Sequence, residues 1–223
     1  MCAIAGLICS KPNCEVRDHA AAVRTICDLQ THRGPDDRGV SEHGQVCLGS
    51  NRLSILDLSR AGHMPMSDPS GRWWIVYNGE TYNFQQLREE LLGLGHTFLS
   101  GSDTEVVLRA FMQWGDECFD RLIGMFAFAV LDRQTNTVTL ARDRFGKKPL
   151  YYMQRAGHLY FASEVKALLR LRDHVQPDFQ RLIEWSLFRN AEIGSANTLI
   201  DGISSLGPGQ VLHVRDGRGV SPG

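Results

Sequence analysis

The chain opens Met1-Cys2-Ala3-Ile4-Ala5-Gly6-Leu7-Ile8-Cys9. Ala3 to Cys9 is a short apolar run, which predicts a buried strand at the extreme N-terminus. Outward from it, Asp18 to His32 carries Ala22, Ile26 and Leu29 at helical spacing, and Gly34-Pro35 ends that helix. Val46 to Ile55 and Trp73 to Tyr77 read as strands. Asn83 is a candidate cap for a helix with the stripe Phe84, Leu87, Leu91 and Leu94, stopped by Gly95. Ser102 is a candidate cap for a second helix, with Val106, Val107, Ala110, Phe111 and Trp114 on one face. Two hairpins follow, Met125 to Leu131 with Val138 to Ala141, and Leu150 to Met153 with His158 to Ala162. Helices over Ser163 to Leu171 and Asp178 to Phe188 and a strand over Gln210 to Val214 complete the pattern, and the polar tail 215–223 reads as a linker or a cut end. Strands outnumber helices and pair as hairpins. The pattern therefore predicts an α+β class, antiparallel sheets with helices packed outside, and not a doubly wound parallel fold.

At 223 residues and 43% hydrophobic, the chain is large enough for one domain with its own core. Its 24 Lys+Arg balance 25 Asp+Glu, with no basic block to bind nucleic acid and no acidic tail. The longest apolar stretches, such as Gly124 to Leu131, are too short to span a bilayer. The N-terminus lacks a signal-peptide pattern, because no basic lead-in precedes the apolar run and Lys11 and Glu15 follow it closely. The cysteines Cys2, Cys9, Cys14, Cys27, Cys47 and Cys118 form no Cys-x-x-Cys pair, and no His pair has zinc spacing. That argues against a disulfide framework and against a structural metal. Cys9, Cys27, Cys47 and Cys118 read as small buried hydrophobes, and the compartment as the reducing cytoplasm.

Cys2 carries the chemistry if Met1 is cleaved, which its small side chain permits. One residue then holds a thiol (reference pKa about 8.5) and a free α-amine (about 7.7–8.0). Near neutral pH a fraction of the amine is unprotonated and able to act as a base, reaching the thiol through a water. Nucleophile and base come from a single residue, and no His–Asp pair is needed. The alternative is a small hydrophobe that precedes a strand by accident, and a retained Met1 would block the amine.

Further segments follow in order: His32-Arg33-Gly34-Pro35-Asp36, Arg52-Leu53-Ser54-Ile55-Leu56-Asp57, Tyr77-Asn78-Gly79-Glu80-Thr81-Tyr82-Asn83 and Ser102-Asp103-Thr104-Glu105. Gly124 to Ala129, Arg142 to Tyr152 and Phe161 to Leu168 continue the series. Together with the opening Met1 to Gly6 they resemble the class II glutamine amidotransferases, and among these the glutaminase domain of glutamine-hydrolysing asparagine synthetase, from Met1 to about Val214. The resemblance implies a four-layer αββα sandwich of the N-terminal nucleophile hydrolases over 1–214, two antiparallel sheets flanked by helices. It implies hydrolysis of L-glutamine to L-glutamate and ammonia through a Cys2 thioester, the ammonia serving ATP-dependent amidation of aspartate.

Amide hydrolysis passes through a tetrahedral oxyanion that needs fixed donors. Asn78 offers a side-chain NH2 and Gly79 a backbone N–H free of a Cβ, and the resemblance makes these two the oxyanion hole. In isolation Asn-Gly also reads as a tight hairpin turn. Free glutamine must be held at both ends. Arg52 suits the α-carboxylate, and Glu80 and Asp103 suit the α-ammonium. The resemblance adds backbone contacts from Leu53, Ile55 and Leu56. Arg52 alone would read as a surface ion pair, and Asp103 alone as a first-turn acid favoured by the helix dipole. The Arg33-Gly34-Pro35-Asp36 loop is expected near the pocket without a catalytic role, and Arg142 to Tyr152 as structure. Thr81 replaces a usual branched aliphatic, so its hydroxyl needs a partner if buried.

No Ser-Gly-Gly-x-Asp-Ser loop or Walker-type loop occurs in the chain. The expectation is a truncated chain or one subunit of a split enzyme, with 215–223 a linker or the start of an absent synthetase domain. No cofactor is expected in this domain; ATP and Mg are expected only with the synthetase domain. The partners expected are L-glutamine, a synthetase domain in the same longer chain or a separate subunit, and a homodimer, with no nucleic acid and no membrane. Two alternatives stay open: ammonia supply to a different acceptor, and a non-catalytic docking or regulatory domain of the same fold.

Overall fold

The first strand of the chain, Ala3–Cys9, is buried along its whole length on both faces, and the reason is layering. The computed structural model describes residues 1–10, 16–188, 198–215 and 218–220. One six-stranded sheet has the order β10 (Ser204–Ser205), β8 (Tyr151–Arg155), β9 (His158–Ala162), β1 (Ala3–Cys9), β3 (Val46–Arg52), β2 (Asp37–His43). The other has the order β12 (Arg218–Val220), β11 (Val211–Arg215), β7 (Thr137–Arg142), β6 (Gly124–Asp132), β5 (Trp73–Thr81), β4 (Met66–Ser67). Every strand pairing in both is antiparallel. Helices α1 (Val16–Leu29) and α5 (Val165–Leu169) pack on the outside of the first sheet, and α2 (Phe84–Gly93) and α3 (Asp103–Trp114) on the outside of the second. Helices α4 (Cys118–Arg121) and α6 (Phe179–Phe188) are the other α-helices among the described residues.

Alternation along single strands fixes the four layers. In β1, Ile4 and Ile8 join the inter-sheet core with Leu48, Val76, Ala129, Leu140 and Phe161, while Ala5, Leu7 and Cys9 face the α1 side with Val23 and Ile26. In β5, Val76 joins the same inter-sheet core, while Ile75 and Tyr77 pack toward Leu87, Val107 and Phe111. All seven residues of β1 are buried, so it reads as a continuous apolar run. The predicted αββα arrangement is the one observed.

Several boundaries differ from the sequence reading. The first helix stops at Leu29 and a single 3-10 turn, Thr31–Arg33, follows. Strand β2 had no predicted counterpart, because it is a polar edge strand that depends on pairing with β3. Asn83 begins α2 without a side-chain cap; its amide instead donates to Arg121 O at 2.9 Å and accepts from Ile123 N at 3.0 Å. Ser102 does cap α3, its hydroxyl accepting from Thr104 N at 3.1 Å. Within the tail read as a linker, β12 pairs with β11 and extends the second sheet. Cys27, Cys47 and Cys118 are buried free thiols, whereas Cys9, read as a plain hydrophobe, is buried but disulfide-bonded. Cys14 lies outside the described residues.

Candidate active site

The β1–β3 ladder starts at Ala3 opposite Asn51, so Cys2 lies one residue beyond the paired region. Its thiol meets Leu53, one residue past the end of β3: Leu53 N donates to Sγ at 3.4 Å, and Leu53 O lies 3.7 Å away. Burial pushes the Cys2 thiol up. The Leu53 N–H, the positive N-terminus and Arg52 offset this only in part. A thiol in this state needs a base to become a nucleophile.

The segment after β3 is folded around Arg52. The guanidinium, buried, donates to Ser59 O at 3.2 Å and to Asp57 O. Gly62 lies flat on it, and a Cβ there would stand 2.0 Å from an Arg52 guanidinium nitrogen. Asp57 then ties this loop to the entrance of α3, accepting from Gly101 N at 2.9 Å. Asp36 accepts from Ser54 N at 2.8 Å, which brings the Arg33-Gly34-Pro35-Asp36 turn against the same loop.

Across the pocket, β5 continues past Tyr77 to Thr81, longer than predicted. Asn78-Gly79 is therefore no turn; the two residues lie opposite Ala127 and Phe126 inside the sheet. Gly79 is demanded by its neighbour strand, since a Cβ would stand 2.5 Å from Met125 O. Asn78 is fully buried, and neither its amide nitrogen nor its amide oxygen has a hydrogen-bond partner among the described residues. Asp103, in the first turn of α3, accepts from Thr81 N at 2.9 Å. Burial pushes its carboxyl above the usual range, against the pull of the Thr81 and Thr104 N–H groups and the Tyr77 hydroxyl. The Thr81 hydroxyl finds its required partner in Tyr77 OH at 2.9 Å.

These walls enclose a pocket of about 200 Å³, and all of the predicted site residues line it: Cys2, Asn78 and Gly79 for the chemistry, and Arg52, Leu53, Ile55, Leu56, Glu80 and Asp103 for binding. Ile55 and Leu56 are half exposed or more, as expected of a rim. Arg52 is no surface ion pair, for it is buried and spends its bonds on carbonyls. Met1 also lines the pocket, joined to the Cys2 nitrogen by a peptide bond. Sequence reasoning missed Tyr77, Asp57 and Lys148. Lys148 is buried and lines the pocket. The signal for it was present, since Lys148 falls in the Arg142 to Tyr152 segment assigned to structure. Among the described residues no group of His, Cys, Asp and Glu is arranged to hold a metal, and no helix is long and apolar enough to cross a membrane.

A family profile described as a glutamine amidotransferase domain matches residues 1–221. The chain belongs to this family. Asparagine synthetase 1 (glutamine-hydrolyzing) of Bacillus subtilis is 34% identical over 215 residues, covering 96% of this chain and 34% of that protein. Asparagine synthetase 3 (glutamine-hydrolyzing) of the same organism is 35% identical over 219 residues, covering 95% and 34%. The amidase chry2 of Gibberella zeae is 33% identical over 208 residues, covering 91% and 30%. This glutamine amidotransferase domain thus spans about a third of the length of the curated relatives it matches. Among solved structures, a glutamine phosphoribosylpyrophosphate amidotransferase from B. subtilis superposes with a TM-score of 0.70 at 18% identity, covering 99% of this chain and 48% of that one. The similarity establishes the fold, and the αββα sandwich is shared.

Proposed function

We propose that this domain hydrolyses L-glutamine to L-glutamate and ammonia at Cys2. In the whole protein the ammonia feeds an ATP-dependent, asparagine synthetase-type amidation of aspartate. The observation that carries the reading is the Asn78 amide. An interior amide with both polar atoms unpartnered costs stability, and this one lies in the same pocket as the Cys2 thiol. A donor held without a partner beside a nucleophile is what a developing oxyanion requires.

Glutamine places its α-carboxylate on Arg52, whose guanidinium has five N–H donors, two of them engaged by Ser59 O and Asp57 O. Its α-ammonium lies between Glu80 and Asp103, and Leu53, Ile55 and Leu56 add backbone contacts. Once Met1 is removed, the Cys2 amine accepts the thiol proton through a water. The sulfur attacks the side-chain amide carbon, and Asn78 with the Gly79 N–H stabilises the oxyanion. The C–N bond breaks as the amine returns the proton to the leaving nitrogen, which departs as ammonia. Water then attacks the γ-glutamyl thioester, releases glutamate and restores the thiol. This domain needs no cofactor for these steps. ATP and Mg belong to a synthetase domain, in the same longer chain or a separate subunit. The two asparagine synthetase relatives favour aspartate as the acceptor.

The test is glutamate release by protein whose intact mass lacks Met1. Cys2→Ala should abolish release, and so should a retained Met1. Full turnover by either form sinks the proposal.

A further inference from the structure

Two motifs have no part in the scheme above, His32 to Asp36 and Phe161 to Leu168. They converge on the main chain that carries Cys2. Arg33 Nε donates to the Cys2 carbonyl at 3.1 Å, and its guanidinium reaches Glu164 Oε1 at 3.2 Å. The same oxygen meets His32 Nε2 at 2.8 Å, and the other carboxylate oxygen meets Lys166 Nζ at 3.1 Å. The Arg33 and Glu164 side chains are only 11% and 19% exposed, against 51% for His32 and 57% for Lys166. The inner pair is thus shielded and the outer two are wet. One residue earlier, Ser163 brackets Ile4: its hydroxyl accepts from Ile4 N at 2.9 Å and its N–H donates to Ile4 O at 3.1 Å. Gln30 Nε2 adds a third bond, to Ile4 O at 3.3 Å.

Cys2 lies beyond the β1 ladder, and its carbonyl is held by a side chain rather than by a sheet partner. The direction of that side chain is set at its far end. A guanidinium is planar, so fixing one nitrogen on a carboxylate fixes where Nε points. We propose that Glu164 is a positioning residue for the nucleophile: it aims Arg33, and Arg33 holds the Cys2 carbonyl so that the sulfur faces the pocket. The inference rests on the reading of Cys2 as nucleophile. Glu164 touches neither substrate nor sulfur. Burial pushes its carboxyl up, but hydrogen bonds from His32, Lys166 and Arg33 outweigh this and hold it low, so it stays ionised through the neutral range.

The experiment compares Glu164→Gln and Glu164→Ala with wild type, each freed of Met1 and checked for fold by circular dichroism. Glutaminase kcat and KM are measured together with the rate at which a diazo-ketone glutamine analogue labels Cys2. Misplacing a reacting atom by a fraction of an ångström to one ångström costs up to about 100-fold. Glu164→Ala should lose about 10- to 100-fold in kcat and in labelling rate, with KM within about threefold, because the glutamine contacts are untouched. Glu164→Gln, which keeps an acceptor for Arg33 but no charge, should lose less, about 3- to 10-fold. A merely structural residue would lower thermal stability and leave the kcat of the folded fraction alone. A folded Glu164→Ala with wild-type kcat overturns the inference. Should Glu164→Ala fail to fold, wild-type kcat in Glu164→Gln overturns it equally. In both cases Cys2→Ala remains inactive, so the proposed function stands. If Cys2→Ala keeps turnover, both fall together.

Discussion

Replacing Asn78 by leucine should make this protein more stable and much less active. The side chain is fully buried with two polar atoms unmet, and each unmet buried group costs about 1–3 kcal/mol. Leucine shares the branched skeleton of asparagine, is larger because its ends are methyl groups, and has no polar atom, so the ceiling of the gain is roughly 2–6 kcal/mol. Repacking the branched end against the neighbouring Val76 and Ala127 layers consumes part of it, about 1–3 kcal/mol. A net gain on the order of 1 kcal/mol remains, which for a domain of this size raises Tm by about 2–4 °C. Removal of one oxyanion donor costs about 10²- to 10³-fold in kcat. The assays are calorimetric Tm and glutamate release at saturating glutamine. Most point substitutions in a core lower both quantities, so the opposite signs are diagnostic. A variant that is destabilised yet turns over within twofold of wild type would show that the Asn78 amide is structural and the oxyanion argument wrong.

Asp103→Asn tests the same trade by charge. Burial raises the Asp103 carboxyl in the fold, so folding favours its protonated form, and above that raised value the ionised group costs stability. At pH 7 the neutral asparagine should therefore leave Tm unchanged or higher, while the glutamine KM rises by about 10- to 100-fold for one lost charge-assisted contact; a fall in Tm with unchanged KM contradicts this. In wild type the same sign predicts that kcat/KM declines on acidification from a pH above the ordinary carboxylate range, and a pH profile of kcat/KM checks it. Gly62→Ala would put a methyl 2.0 Å from an Arg52 nitrogen, so the guanidinium must shift, and KM should rise by about tenfold with kcat little changed. Thiol alkylation at pH 8 followed by peptide mass analysis should label Cys2 well before Cys27, Cys47 and Cys118, because burial pushes those three thiols up to about 12. Equal labelling of all four refutes the burial assignments.

The parts of the fold that were legible in the sequence are those whose side chains serve the core. Strand β1 was readable to the residue because both of its faces are buried, and β9 because it pairs with β1 inside the same layer. Strand β5 was read only as far as Tyr77. Its last four residues, Asn78 to Thr81, carry no apolar side chain and so break the apolar pattern, yet each is still opposite a residue of β6. Pattern fails there because Asn78, Gly79 and Glu80 line the pocket and the Thr81 hydroxyl is held by Tyr77, so only the ladder to β6 holds the backbone extended. The same division explains the site. Cys2, Arg52 and Asp103 were recoverable because their residue types suit the chemistry and their motifs are contiguous. Arg33 with Glu164, 131 residues apart, and Asp57 with Gly101, 44 apart, act through pairings that no local window contains. Where local propensity and tertiary structure disagree, stability is being set aside for function. An amide with no partner and a carboxyl raised by burial gather in one pocket with the Cys2 thiol, and each of those two would be removed by selection for stability alone. Their coincidence around Cys2 is therefore a stronger argument for chemistry at that residue than any one of the motifs that pointed to it.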